Sequence, residues 1–362
     1  MNVPIGKVCA RAFTIPTDKP EADGTIAWRS TTLVVVEIKG GDKVGVGYTY
    51  SGASIAQLIE SKLAETISGL DALNPEAAWQ AMQHAVRNLG REGLAATAVS
   101  AVDIALHDLK ARILDLPLAT LLGRYRDSIP IYGSGGFTTY TDDELQNQLG
   151  GWVNRDGCVF VKMKVGTNPQ DDPRRVSVAK KAIGNATLFV DANGAYAVKQ
   201  ALELAACFAE QDVGWFEEPV SSDDLRGLCA VRQRAPAVMD IAAGEYAYTT
   251  WYVRRMLEAG AVDVQQADVT RCGGVTAFLQ IAALCEAFQI DLSGHCAPAL
   301  HVHVACAAPR LRHLEWFHDH VRIEHMLFDG APIPKHGAIC PDLSRPGNGL
   351  VFKHQDAARY AA

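Results

Sequence analysis

From Ile129 onward, short apolar runs, polar turns and amphipathic stretches succeed one another in a repeating grammar. The apolar runs Ile129–Gly133, Val159–Val165, Thr187–Val190, Val213–Phe216, Met239–Ala242, Val262–Gln265, Ile290–Ser293 and Arg312–Trp316 read as strands. Between them, Pro173–Ile183, Val198–Gln211, Leu225–Arg234, Thr249–Ala259 and Val275–Gln289 read as helices. Strand starts recur roughly every 25 residues, the length of one strand–helix unit. Eight such strands in about 190 residues point to a closed parallel barrel, although a doubly wound sheet would show the same alternation.

The pattern before residue 126 is different. Thr31–Lys39 is β-branched and apolar, Gly40-Gly41-Asp42 follows, and Val44–Tyr48 resumes the strand character, which predicts a hairpin. In Ala95–Ile113, Val102, Leu106, Leu109 and Ile113 recur at helical spacing, while Ser100, Asp103, His107 and Lys110 fall on another face. Leu116-Pro117 ends that helix. The predicted division is an α+β domain over 1–125, the barrel over 126–320, and a Pro- and Gly-punctuated segment over 321–362.

Composition narrows the functional classes. The 362 residues are 48% hydrophobic with a formal charge of −7, and neither end carries a basic run. Nucleic-acid and anionic-membrane binding are therefore not expected. No apolar run approaches the roughly 20 residues of a membrane span. The N-terminus lacks a secretory signal, and the nine scattered cysteines include no CxxC pair. A reducing, cytoplasmic setting is the expectation.

The ends of the predicted strands carry the chemistry. In order they hold Lys162 and Lys164, Asp191 with Asn193, Glu217-Glu218, Glu245, Asp268, His295 and Glu315. Barrels place their active sites at this end. Asp191, Glu217 and Glu245 come from adjacent strands and offer hard oxygen ligands suited to Mg²⁺. Bases on both sides of such a cation suit removal of a proton beside a carboxylate. A lysine serves as base near neutrality only if its pKa falls, and Lys162 together with the cation would lower that of Lys164.

The ordered set KxK, DxN, EEP, GE, Asp268 and His295 resembles the enolase superfamily, specifically its mandelate racemase subgroup, over nearly the whole chain. That resemblance implies a (β/α)7β modified TIM barrel, an N-terminal α+β cap completed by the C-terminal segment, and a homo-oligomer. It further implies Mg²⁺ on Asp191, Glu217 and Glu245. Lys164 would be one base, and Lys162 would tune it and touch the substrate carboxylate. His295 paired with Asp268 would be the opposite base or acid. Glu315 would hydrogen-bond the enediolate, and Asn193 would lie near a substrate hydroxyl. Asp268-Val269-Thr270-Arg271-Cys272-Gly273-Gly274 looks most like the acid-sugar dehydratases of the subgroup.

The resulting expectation is dehydration of an aldonate or aldarate to a 2-keto-3-deoxy acid. Racemisation or epimerisation, lactone cycloisomerisation, and a non-catalytic binding barrel are the alternatives. Arg29, Tyr48 and Tyr50, in cap segments near 16–29 and 45–54, are candidates for reaching the small-molecule carboxylate substrate. Zinc hydrolysis is disfavoured: no HExxH occurs, His301 and His303 cannot face one ligand from a helix, and His318 and His320 read as surface residues. Gly45-Val46-Gly47 lacks the third glycine of a dinucleotide loop.

Overall fold

The computed structural model describes residues 2–362. Three antiparallel strands, β1 (Ile5–Ala22), β2 (Ala27–Gly40) and β3 (Lys43–Tyr50), form the cap sheet. The β2–β3 hairpin turns at the expected Gly40–Lys43 pair. The sequence reading missed β1, which contains Pro16, Asp18, Lys19 and Pro20. These residues are tolerated because β1 is an edge strand and its register shifts between Pro16 and Glu21. Much of the segment expected as a loop near 16–29 is therefore the end of a paired ribbon.

The barrel strands follow as β4 (Ile129–Gly135), β5 (Phe160–Lys164), β6 (Thr187–Asp191), β7 (Val213–Glu217), β8 (Asp240–Ala243), β9 (Val264–Ala267), β10 (Asp291–Gly294) and β11 (Leu311–Phe317). They lie in sequence order, and parallel pairing of β11 with β4 closes the ring. Seven helices connect the eight strands, from Asp142–Asn154 to Pro298–Cys306. Closure decides between the barrel and the open sheet that the alternation alone left unresolved. A ring of Tyr132, Phe189, Trp215 and His313 fills its interior below the catalytic end.

After β11, the helix His318–Leu327 carries the chain back to the cap. Tyr48 Oη donates to Glu324 Oε1 at 2.7 Å, and Phe352 packs on Phe13 at 5.3 Å between centroids. Asn348 Nδ2 donates to the carbonyl of Val46. The C-terminal segment is thus sewn into the cap's core.

The helix Leu94–Ile113 is the hinge pin between the two bodies. Its apolar face packs on β3, where Gly47 allows close approach: a Cβ there would lie 2.3 Å from the Ala101 carbonyl oxygen. The glycines of 45–47 thus serve helix–strand contact. The polar face expected from the periodicity meets the barrel instead of water. Ser100 Oγ accepts from the Gly273 N–H, and the Asp103 carboxylate accepts from both N–H and Oγ1 of Thr276. His107 Nε2 lies 3.0 Å from Thr276 Oγ1.

Two outcomes follow from this interface. Gly47→Ala must push helix and strand apart and should cost about 1–3 kcal/mol, read as a lowered urea midpoint. An unchanged midpoint would refute the close-contact argument. Burial, helped by Lys110, pushes the His107 pKa down from 6.5 to about 3. The unfolded chain then binds a proton below pH 6.5 that the folded chain refuses, so stability is lost as pH falls towards 3. Relative to His107→Gln, the wild type should lose about 2 kcal/mol between pH 7 and pH 5, at about 1.4 kcal/mol per pH unit. A pH-independent difference would contradict this.

Candidate active site

Strand register assembles the charged groups. Lys164, Asp191 and Glu217 are consecutive cross-strand neighbours on β5, β6 and β7, so their side chains emerge at one level. Glu245 follows Gly244 beyond β8, and a Cβ on Gly244 would sit 2.0 Å from the Gln266 carbonyl oxygen. Asp268 follows β9, His295 follows β10, and Glu315 lies on β11. Asn193, Glu218, Cys296 and Ala297 all have positive φ, between 39° and 53°. Backbone strain of this kind concentrates where side chains must be held in place.

One ligand atom from each of Asp191, Glu217 and Glu245 lies within 4.8 Å of the others, and all three residues are buried. Glu245 Oε2 is buried without a hydrogen-bond partner. Three enclosed carboxylates with an orphaned oxygen suit a hard divalent cation. Burial, then Asp191, push the Glu217 pKa up to about 8, which is the penalty for crowding like charges.

Lys162 occupies the centre of the charge network. Its Nζ lies 2.6 Å from Glu217 Oε1, 2.8 Å from Glu315 Oε1 and 3.4 Å from Asp191 Oδ2. Burial would lower its pKa, but Glu217, Glu315 and Asp191 outweigh burial and hold it well above the ordinary lysine value. Lys162 has no exposed surface, and its Nζ is engaged by protein carboxylates, among them Glu315 of the cavity wall.

Lys164 does reach the cavity, with Nζ 2.5 Å from Asp191 Oδ2. The expected fall in its pKa is not what the protein's own charges produce. Burial lowers it, but Asp191 more than compensates and raises it. Lys162 alone does not reverse that.

His295 faces the cavity from the far side of the ring. Nδ1 donates to Asp268 Oδ2 at 2.8 Å, which directs Nε2 inward. Burial opposes its charge, yet Cys296, Glu245, Glu315 and the Asp268 hydrogen bond raise its pKa. Glu315 Oε1 accepts from Ser134 Oγ at 2.6 Å, while Oε2 accepts from the Cys296 N–H. Burial would raise the Glu315 pKa, but Lys162 and His295 hold it low.

A cavity of about 390 Å³ joins cap and barrel here. Asn193 lines it, with Oδ1 buried and unpartnered. Tyr48 and Arg29 do not. Tyr48 is fully buried in the cap with its hydroxyl bound to Glu324, and Arg29 is exposed on β2 away from the cavity. Tyr50, the third cap candidate, does line it, with Trp28 and Ser51 beside it. Strand alternation turns Arg29 to the face opposite Trp28, whereas Tyr48 shares the face of Tyr50 and is instead buried against Glu324 of the returning helix. His320, expected at the surface, is 6% exposed and stacks on Tyr50 at 3.5 Å. Ser134, Tyr246, Arg271 and Cys296 also surround the site, yet nothing local in the sequence marked them for this role.

Comparison with known proteins places these features in context. Residues 12–123 match the mandelate racemase / muconate lactonizing enzyme N-terminal domain, and residues 144–357 match the enolase C-terminal domain-like model. The 3,6-anhydro-alpha-L-galactonate cycloisomerase of Streptomyces coelicolor is 32% identical, covering 99% of each chain. A mandelate racemase/muconate lactonizing enzyme-like structure from Rubrobacter xylanophilus is 52% identical with a TM-score of 0.97, covering 99% of this chain and 100% of that one. L-Talarate dehydratase from Polaromonas sp. JS666, complexed with Mg and L-glucarate, is 29% identical with a TM-score of 0.90, covering 99% and 98%.

The carboxylate cluster generates a direct binding test. Glu217→Gln should weaken binding of Mn²⁺, followed by electron paramagnetic resonance, by more than about 10-fold, since even outer partners of metal ligands contribute about 10–100-fold. Wild-type affinity in this variant would place the cation elsewhere.

Proposed function

The chain belongs to the mandelate racemase/muconate lactonizing enzyme family of the enolase superfamily, and from that premise we propose that it is a Mg²⁺-dependent acid-sugar dehydratase. The observation that carries the reading is the opposition of Lys164 and His295 around one cluster of three carboxylates. Asp191, Glu217 and Glu245 would hold the cation. When bound, Mg²⁺ supplies positive charge to the substrate carboxylate, which makes the adjacent C–H acidic and stabilises the dianion.

Lys164 would take the α-proton as the free amine, which requires that Asp191, the group that most raises its pKa, be engaged as a metal ligand. The electron pair of that C–H bond moves into the enediolate, whose oxygen faces Glu315; because Lys162 and His295 hold that carboxyl low, it must take up a proton before it can donate a hydrogen bond there. His295, oriented by Asp268, delivers a proton to the β-hydroxyl as the C–O bond breaks, so water leaves and the enol becomes a 2-keto-3-deoxy acid. Lys162 acts indirectly by neutralising the carboxylates behind the site. General acid and base groups of this kind contribute about 10²–10⁴-fold each.

Charge along the cavity supports a substrate with a single carboxylate. Among the described residues, its basic lining groups are Lys164, Arg271, His295 and His320. Arg271 is engaged by Asp268 and Glu245 at 3.5 and 3.6 Å. Burial pushes His320 down to about 3, so it is neutral. The cap side presents Asp23, Trp28, Ile26, Ser30 and Thr31, a wall for hydroxyls and an apolar sugar face. A second carboxylate would meet no free cation there, which favours aldonates over aldarates.

Cycloisomerisation is the second reading, favoured by the full-length similarity to the Streptomyces enzyme. The test is a panel of aldonates, aldarates and sugar lactones with Mg²⁺, read by semicarbazide for 2-keto product and by NMR in D₂O. Keto product from an aldonate is expected, and Lys164→Ala should lower kcat by about 10²–10⁴-fold. His295→Asn should lose dehydration yet retain α-deuterium exchange. Isomerised product without a keto acid would move the assignment to cycloisomerase. Absence of both product and exchange would defeat it.

A further inference from the structure

Cys296 lines the cavity, but the chemistry above gives its thiol no task. It is 4% exposed, with Sγ 3.4 Å from His295 Nε2 and 3.4 Å from Glu315 Oε2. His295 Nε2 lies 3.6 Å from the same Glu315 oxygen. The three donors form a nearly equilateral triangle. Tetrahedral zinc, with bonds of about 2.3 Å to sulfur and about 2.0–2.2 Å to nitrogen and oxygen, separates its ligand atoms by about 3.3–3.6 Å. The triangle therefore matches one face of a zinc tetrahedron.

A second observation points to the same place. Glu245 Oε2, buried without a hydrogen bond, faces that imidazole nitrogen at 3.4 Å as its ion-pair partner. The two clusters also differ in chemical taste. Asp191, Glu217 and Glu245 offer oxygen alone, which suits a hard cation. His295, Cys296 and Glu315 offer nitrogen, sulfur and oxygen, which suits a softer one.

We propose that His295, Cys296 and Glu315 form a second, thiophilic metal site that takes Zn²⁺, and that zinc bound there blocks turnover. Zinc takes the oxygen of Glu315 and the lone pair that His295 Nε2 exposes on losing its proton, and that proton and the Cys296 S–H proton both pass to solvent as the zinc–nitrogen and zinc–sulfur bonds form. No electron changes hands. Until a metal displaces the S–H proton the thiol is neutral, because burial, then Glu315, push its pKa up to about 12. Turnover stops because the groups that move the proton and hold the enediolate are ligated. That blocking effect rests on the dehydratase reading, whereas metal binding does not.

The probe is Co²⁺ titrated into protein held in excess Mg²⁺. A thiolate ligand gives a near-ultraviolet charge-transfer band that an all-oxygen site cannot produce. One band-forming Co²⁺ per chain is expected, displaced by Zn²⁺ and insensitive to further Mg²⁺. Cys296→Ser should abolish the band, and Glu217→Gln should retain it. His295→Asn, which keeps the thiol, should weaken Co²⁺ binding by at least 10-fold and guards against misfolding of the serine variant. Absence of the band in the wild type, or its persistence in Cys296→Ser through another of the nine cysteines, overturns the site. In turnover, the zinc concentration for half-inhibition should rise at least 10-fold in Cys296→Ser, and an unchanged value overturns the blocking role. A wild type with no turnover on the whole panel would count against the dehydratase reading and the blocking role with it, while the cobalt band still decides the metal site.

Discussion

The buried ammonium of Lys162 and the carboxylates around it are the interaction on which the barrel's catalytic end depends. Glu217 and Glu315 lie within 2.8 Å of its Nζ, and Asp191 lies at 3.4 Å. Enclosing one such charge costs several kcal/mol unless partners offset it, and removing one partner leaves the others uncompensated. The same network ties together four strands, because the groups come from β5, β6, β7 and β11. The aromatic ring below it, with Lys162 Nζ 5.4 Å from the centre of Tyr132, removes water and strengthens each of these attractions.

That concentration of charge is usable only because the cap is fastened over it. Thr49 Oγ1 donates to the Thr270 carbonyl, and Tyr48 reaches Glu324 on the returning helix. These bonds tie the cap to loops that follow β9 and β11, two of the strands that carry site residues. The cavity consequently has two poles with different owners. Barrel strand ends supply the reacting groups, and the cap's β1–β2 ribbon and the end of β3 supply the wall that meets the rest of a ligand. Chemistry and selectivity can therefore vary separately in this architecture.

Strain and solvation concentrate at the same rim. Four of the eight non-glycine residues with positive φ among the described residues, Asn193, Glu218, Cys296 and Ala297, border the site. Buried polar atoms without partners include Asn193 Oδ1, Glu218 Oε1 and Glu245 Oε2. A folded chain tolerates such features where surrounding packing over-determines them, and here eight closed strands provide that packing. The stability invested in the barrel wall is what holds these groups in an otherwise unfavourable arrangement.

Much of this was legible in the linear chain. The period of strand and helix predicted the barrel because each unit must bury one face, and the charged residues at successive strand ends fall on the catalytic rim for the same reason. Asp191, Glu217, Glu245, Asp268, His295 and Glu315 could therefore be singled out by position, and the structure brings them together. The cap was harder to read. Prolines hid β1, and of the cap candidates Tyr50 lines the cavity while Tyr48 and Arg29 do not. Ring closure, the burial of Lys162 among carboxylates, the upward pKa of Lys164 and the triangle of His295, Cys296 and Glu315 were decided by tertiary structure alone. The division has a physical cause: burial periodicity is a property of neighbours along the chain, whereas facing direction, charge coupling and donor spacing depend on segments that meet only after the ring has closed.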